Sequence, residues 1–177
     1  MFNLEERGTI LVIDDNPTNL QVLYKALSDR GYDVLVEMDG KSGIELVKNS
    51  PPDLILLDVM IPGIDGFETC SRLQADPITK EIPIIFMTAL SDTVNKVKGL
   101  SLSVVDYISK PFQQEEVLAR IKVHLKLRRL TLQLAEQNQQ LEERVEKRTV
   151  KLYQTIRELK QTQLQLIQSE KSLQLVS

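Results

Sequence analysis

The stretch Asp53-Leu54-Ile55-Leu56-Leu57-Asp58-Val59-Met60-Ile61-Pro62-Gly63 constrains the chain more than any other. Leu54 to Leu57 is an unbroken aliphatic run, with none of the polar alternation of a half-exposed strand. Such a run suits a strand covered on both faces, as inside a parallel sheet. It ends abruptly in the carboxylate of Asp58, and the Pro62-Gly63 turn follows. In doubly wound sheets, the carboxyl ends of the strands are where sites are built.

The same pattern recurs along the chain. Thr9 to Ile13 is an apolar strand running into Asp14-Asp15-Asn16-Pro17, where Pro17 suits a first helical turn and Asn16 its cap. Leu20, Leu23, Tyr24 and Leu27 then recur at helical spacing up to Gly31. Tyr32 to Val36 predicts a second strand. Met38-Asp39-Gly40 turns into a helix carrying Ile44, Leu46 and Val47, closed by Pro51-Pro52. After the Asp58 strand, the loop Pro62 to Gly66 leads to an amphipathic helix through Phe67, Cys70 and Leu73, broken by Pro77. Ile82 to Met87 predicts a fourth strand, ending in Thr88-Ala89. A more polar helix follows over about Asp92 to Leu100, then a fifth strand over Val104 to Ile108 and Ser109-Lys110-Pro111-Phe112. A last helix starts at Gln113, with Val117, Leu118, Ile121 and Leu125 inward.

Five strands alternating with five helices predict an α/β fold, a doubly wound parallel sheet with helices on both faces. Right-handed crossovers then place every strand's carboxyl end on one rim. The residues delivered there are Asp14 and Asp15, Asp58, Thr88 and Lys110.

Beyond Leu125 no Gly or Pro appears. Leu127, Leu134 and Leu141 are spaced by sevens, as are Val145, Leu152, Leu159, Leu166 and Leu173. With the second series at a, Asn138 also falls at a, and Leu134, Leu141 and Val176 fall at d. Arg148, Thr155, Thr162 and Ser169 interrupt the d seam. We expect residues 1–125 to form one domain and residues 126–177 a helix continuous with its last one. That helix could reach on the order of 100 Å from Gln113. It would pair as a parallel two-stranded coiled coil whose register the buried Asn specifies; a polar helix that stays unpaired is the competing reading.

Charge and composition narrow the partners. Residues 1–124 hold 12 Lys/Arg against 19 Asp/Glu, and residues 125–177 hold 10 against 6. The acidic head does not suggest nucleic acid, and the tail intersperses both signs as a solvated helix does. Cys70 has no disulfide partner and no metal-ligand spacing to His124, the lone histidine, so both read as structural. No signal peptide opens the chain and no apolar run approaches the roughly 18 residues of a membrane span; we expect a cytoplasmic protein.

Three crowded carboxylates repel one another unless a cation joins them, and an all-oxygen set that retains waters suits Mg²⁺. Asp15 and Asp58 would be direct ligands with a backbone carbonyl at Met60, while Asp14 would hold a coordinated water. Such a set fits a phosphoryl group arriving on Asp58, with Lys110 as a point charge and Thr88 as a hydrogen-bond donor for its oxygens. Singly, each residue has an ordinary reading: acids before a helix cap it, Lys110-Pro111 makes a turn, and Thr88 makes a cap. Jointly, in this order on this strand period, coincidence is a poor explanation.

At these residues a resemblance becomes plain. Residues about 8–125 resemble the receiver domain of two-component response regulators. The matching pieces are Ile-Leu-Val-Ile-Asp14-Asp15, Leu-Ile-Leu-Leu-Asp58-Val-Met-Ile-Pro-Gly-Ile-Asp-Gly-Phe-Glu, Pro-Ile-Ile-Phe-Met-Thr88-Ala89 and Asp106-Tyr-Ile-Ser-Lys110-Pro111-Phe112. The resemblance implies a flavodoxin-like sheet of order 2-1-3-4-5. It also implies phosphoryl transfer from a sensor kinase's phosphohistidine to Asp58, Mg²⁺ dependence and slow self-hydrolysis, with no catalysis beyond the domain's own phosphorylation and dephosphorylation. Thr88 would move toward the phosphoryl group and Tyr107 turn inward, altering the surface of the fourth helix, fifth strand and fifth helix. Met60 and Leu90 would flank the group, where apolar side chains could slow attack by water. The chain departs from the family at Leu100-Ser-Leu-Ser-Val104-Val105, where a Gly-Ala pair is common; this bears on the fourth helix rather than on the rim.

The tail carries no DNA-binding motif. Gln163 to Lys171 resembles the coiled linker ahead of the phosphoacceptor helix of sensor histidine kinases, without the histidine and ATP-binding domain that should follow. We therefore expect a phosphorylation-controlled module signalling through a homodimer of its C-terminal helix. The alternative is the front of a larger receiver-containing histidine kinase or nucleotide cyclase.

Overall fold

Every apolar run ahead of the tail becomes a strand of one parallel sheet in the computed structural model, which describes residues 7–89 and 101–176. The strands are β1 (Thr9–Ile13), β2 (Asp33–Glu37), β3 (Leu54–Asp58), β4 (Ile84–Ala89) and β5 (Asp106–Lys110), in the order β2-β1-β3-β4-β5. All pairings are parallel, so the carboxyl ends share an edge as expected. β3 is buried along its whole length, as its unbroken apolar run requires.

Three strands begin later than the apolar runs suggest. β2 starts one residue after Tyr32, and β4 starts two after Ile82, because Pro83 has no N–H to donate; its carbonyl instead accepts from the Ile55 N–H at 3.0 Å. β5 starts two residues after Val104, where Ser103 turns the chain at φ 52°. At the other end, Asp58 and Lys110 are the last residues of β3 and β5 and Thr88 lies within β4, rather than just beyond their strands, because the ladder continues past the apolar runs through the pairs Asp58–Met87, Thr88–Ser109 and Ala89–Lys110.

Alternation along the strands sorts the core into two layers. Ile10, Val12, Leu54, Leu56, Ile85, Met87 and Ile108 face α1 (Pro17–Ser28) and the first turns of α4 (Gln114–Val176) through Leu20, Leu23, Leu27, Val117, Ile121 and Leu125. Leu11, Ile13, Ile55, Leu57, Ile84 and Phe86 face α2 (Gly40–Asn49) and α3 (Gly66–Ala75) through Val47, Cys70 and Leu73. Each such aliphatic side chain contributes roughly 1.5–3 kcal/mol when fully buried. Tyr24, though in phase with its leucines, is half exposed.

The helices start where short polar side chains cap them. Asn16 Oδ1 accepts the Thr18 N–H at 2.9 Å, Asp39 the Ser42 N–H at 2.9 Å, and Asp65 the Glu68 N–H at 2.8 Å. A cap of this kind contributes about 1 kcal/mol. The helix expected over about Asp92 to Leu100, and Leu90, lie outside the described residues.

Two units divide the chain, Met1–Arg129 and Leu130–Ser177. Within the first, Arg128 Nη1 donates to the Asp53 carbonyl at 2.8 Å, tying that turn of α4 to the start of β3. The second is helical throughout its described length. Its seam residues Leu134, Leu141, Val145, Leu152, Leu159, Leu166 and Leu173 are 55–71% exposed. No helix among the described residues is long and apolar enough to cross a membrane.

Candidate functional site

Strand register assembles the site. Asp14 follows Ile10 and Val12 in the pleat, Asp58 follows Leu54 and Leu56, and Lys110 follows Ile108, so all three fall on the α1 side of the sheet. Pairing of Asp58 with Met87, and of Ala89 with Lys110, sets Lys110 one dipeptide further along the edge than Asp58. A lysine can bridge that offset. Its Nζ lies 2.7 Å from Asp58 Oδ2 and 2.9 Å from Asp14 Oδ2.

Asp14 is fully buried, and its carboxylate is supplied with donors: the Asn16 N–H at 2.9 Å on Oδ1, and Lys110 with Asn19 Nδ2, at 3.1 Å, on Oδ2. Asp58 accepts the Met60 N–H at 3.1 Å on Oδ1. Asp15, on the exposed side, brings a third carboxylate, and one oxygen from each of Asp14, Asp15 and Asp58 lies within 4.8 Å of the others. Three hard oxygen donors on an open edge fit Mg²⁺ and leave room for waters.

Burial raises the pKa of Asp58; the hydrogen bonds from Lys110 and Met60 oppose this, and nearby Asp14 adds to it. For Lys110 burial pulls the other way, but the bonds to Asp14 and Asp58 outweigh it and hold the ammonium above its usual range. The asymmetry has a simple cause: the lysine has two carboxylates, whereas Asp58 shares one lysine and faces a second acid. Asn19, Val22, Lys110, Pro111 and Phe112 line an open cleft of about 430 Å³ beside these groups.

Gly66 makes the close approach possible. A Cβ there would stand 2.5 Å from the Asp58 carbonyl oxygen and 2.7 Å from Val59 Cα, so only glycine lets the start of α3 sit against the end of β3. Its N–H donates to the Val59 carbonyl at 2.9 Å.

Thr88 is not bonded into the cluster. It follows Ile84 and Phe86 in the pleat, on the α3 side, and its buried Oγ1 has no hydrogen-bond partner among the described residues. Tyr107 is half-buried, its ring centroid 6.1 Å from that of Phe86. The Met60 side chain is 69% exposed beside Asp58. Cys70 is buried, which pushes its thiol up to about 12. His124 Nε2 lies 3.0 Å from Asp106 Oδ2, whose other oxygen accepts Arg120 Nη1 at 2.7 Å.

Sequence reasoning missed Asn19 and Gly66. Nothing in the local pattern distinguishes Asn19, five residues past Asp14, from any polar first-turn residue. For Gly66 the Asp65-Gly66 pair signals a helix start, not the neighbour it must clear.

Residues 10–122 match the family model described as the response regulator receiver domain. Among curated proteins, the chain is 42% identical over 117 residues to the DNA-binding dual master transcriptional regulator RpaA of Synechocystis, covering 66% of this chain and 48% of RpaA. It is 38% identical over 113 residues to the response regulator PleD of Caulobacter vibrioides, covering 64% of this chain and 25% of PleD. The chain thus spans about half the length of the first relative and a quarter of the second. Among solved structures, the receiver domain of a signal transduction histidine kinase from Syntrophus aciditrophicus superposes with a TM-score of 0.64 at 32% identity, covering 67% of this chain and 90% of that one.

Proposed function

The chain belongs to the response regulator receiver family, and from that premise we propose that Asp58 accepts a phosphoryl group from the phosphohistidine of a sensor kinase. A carboxylate oxygen of Asp58 attacks phosphorus as the P–N bond breaks, and its electron pair stays on the imidazole. Water later attacks the same phosphorus, returning the carboxylate and inorganic phosphate. The observation that carries this reading is Lys110 Nζ held at 2.7 and 2.9 Å from Asp58 and Asp14, with Asp15 alongside. Lys110 offers its positive charge to a phosphoryl oxygen, and Asp58 is presented at the open edge by the Met60 N–H. The acids Asp14, Asp15 and Asp58, with the Met60 carbonyl, would hold Mg²⁺; when bound, it offsets charge on the transferring group. No activity is proposed beyond the domain's own phosphorylation and dephosphorylation.

The buried, unbonded Thr88 hydroxyl supports a switch in which it turns to a phosphoryl oxygen, with Tyr107 following. The domain boundary is proposed near Leu125, with the helix beyond it a parallel dimer. Support comes from the exposed leucine seam and from Thr155 and Thr162, whose hydroxyls donate to carbonyls four residues back at 3.0 Å and so enter a seam without an unmet donor. The protein is proposed to be cytoplasmic and to signal without contacting nucleic acid directly. RpaA is a DNA-binding regulator by name, but the similarity covers 48% of it.

Radiolabelled acetyl phosphate with Mg²⁺ tests the central step: the parent takes up label and Asp58→Asn does not. Equal uptake would end the proposal. Solution mass with and without beryllofluoride and Mg²⁺ tests the pair, and a monomer under both conditions removes it. A second reading, the front of a receiver-containing histidine kinase or nucleotide cyclase, is favoured by the likeness to the Syntrophus kinase receiver and by Gln163 to Lys171. A longer open reading frame carrying such a catalytic domain would select it.

A further inference from the structure

Asp14 Oδ2 carries two donors of different kinds. One is the Lys110 ammonium at 2.9 Å, shared with Asp58; the other is Asn19 Nδ2 at 3.1 Å, from the first turn of α1. Under the receiver reading Lys110 would have to move, because its charge would follow the arriving phosphoryl oxygens and its bond to Asp58 would change once that carboxylate is an acyl phosphate. Asn19 has no such second duty. Its backbone N–H is drawn toward the Asn16 cap at 3.4 Å, and the residue lines the cleft together with Val22, Lys110, Pro111 and Phe112. We propose that Asn19 is a positioning residue for the cation-holding edge: its amide keeps the Asp14 carboxylate aimed while Lys110 turns from the two acids to the phosphoryl group.

The inference rests on the receiver reading above and adds a residue to it. Without Asn19, the Oδ2 atom of a fully buried carboxylate has Lys110 as its only donor among the described residues. The pair then tightens, Lys110 is withheld from Asp58, and the face that Asp14 shows to a coordinated water swings out of place. A buried hydrogen bond to a charged group is costly to lose, which makes such reorientation the expected response.

The test measures Mn²⁺ binding to the full chain by electron paramagnetic resonance, beside acetyl phosphate kinetics. Asp15→Asn and Asp58→Asn report on the site as a whole, and each should weaken Mn²⁺ binding at least tenfold. Asn19→Leu replaces the amide with an apolar group of similar size, and Asn19→Ala removes it altogether. Each should weaken Mn²⁺ binding about fivefold and lower the maximal phosphorylation rate more than it raises the acetyl phosphate KM. In a Lys110→Met background, where Asn19 is the remaining side-chain donor to Asp14 Oδ2, Asn19→Leu should cost more than fivefold.

Retention of Mn²⁺ affinity within twofold in both Asn19 variants, while the Asp variants lose it, overturns the inference and leaves the receiver reading intact. So does a lowered unfolding midpoint with unchanged affinity. Parent-like binding in Asp15→Asn and Asp58→Asn removes both.

Discussion

Gly66→Ala isolates what holds Asp58 in place. The new methyl carbon would sit 2.5 Å from the Asp58 carbonyl oxygen and 2.7 Å from Val59 Cα, both backbone atoms of the β3 end. Favourable contact begins near 3.5 Å, leaving an overlap of about 1 Å. No rotamer change can relieve it, because neither partner is a side chain. The start of α3 must therefore retreat from β3, or β3 must carry Asp58 with it. Overpacking of this kind costs about 1–3 kcal/mol, read as a fall in urea midpoint at unchanged m.

If Asp58 moves by a comparable distance from Lys110, phosphorylation by acetyl phosphate should slow roughly 10²-fold, the scale of an ångström's misplacement. Gly63→Ala is the matched control. Gly63 has φ +79° with nothing within 4 Å of its would-be Cβ, so alanine costs about 1–2 kcal/mol of left-handed strain and should leave the rate within threefold. A Gly66→Ala protein as stable and as fast as the parent would refute the reasoning.

Other outcomes follow from the same geometry. Burial raises the Asp58 pKa, so the fold favours its neutral form; its contribution to stability is fully present below the unfolded value of 3.8 and is lost as pH rises through the folded pKa. Asp58→Asn should therefore raise the metal-free thermal midpoint at pH 7, with the gain shrinking as pH falls through the acid range. Asp106 is the opposite case: burial works against its charge, but His124, Arg120 and the Tyr107 N–H lower its pKa. Its contribution is present above the unfolded value of 3.8 and lost as pH falls through the folded one. Asp106→Asn should accordingly narrow the stability difference between neutral and acid urea titrations. Ser103 holds φ 52° without being glycine, so Ser103→Gly should gain about 0.5–1 kcal/mol in urea unfolding. Met60→Asn, a polar side chain beside Asp58, should shorten the acyl-phosphate lifetime; an unchanged lifetime removes Met60 from that role.

Local pattern determined much of this protein. Unbroken aliphatic runs specify strands covered on both faces, Asn16, Asp39 and Asp65 mark helix starts, and parallel alternation sends Asp14, Asp15, Asp58 and Lys110 to one edge. These features were legible because each depends on residues within a few positions of one another. Strand bounds were less so: Pro83 and the turn at Ser103 moved the starts of β4 and β5 by two residues, and pairing with β5 carried β4 on through Ala89, so Thr88 lies inside β4 and follows Phe86 in the pleat.

Tertiary structure alone decided the pairings. Lys110 meets Asp58 across 52 positions and Asp14 across 96, and no period in the sequence encodes which two carboxylates one ammonium will share. Asn19 became a partner of Asp14 through the pitch of α1's first turn, and Gly66 became indispensable through a backbone that its neighbours in sequence do not reveal. Composition and spacing select the elements; register and close approach between distant segments select the contacts, because those depend on distances that exist only once the sheet has formed.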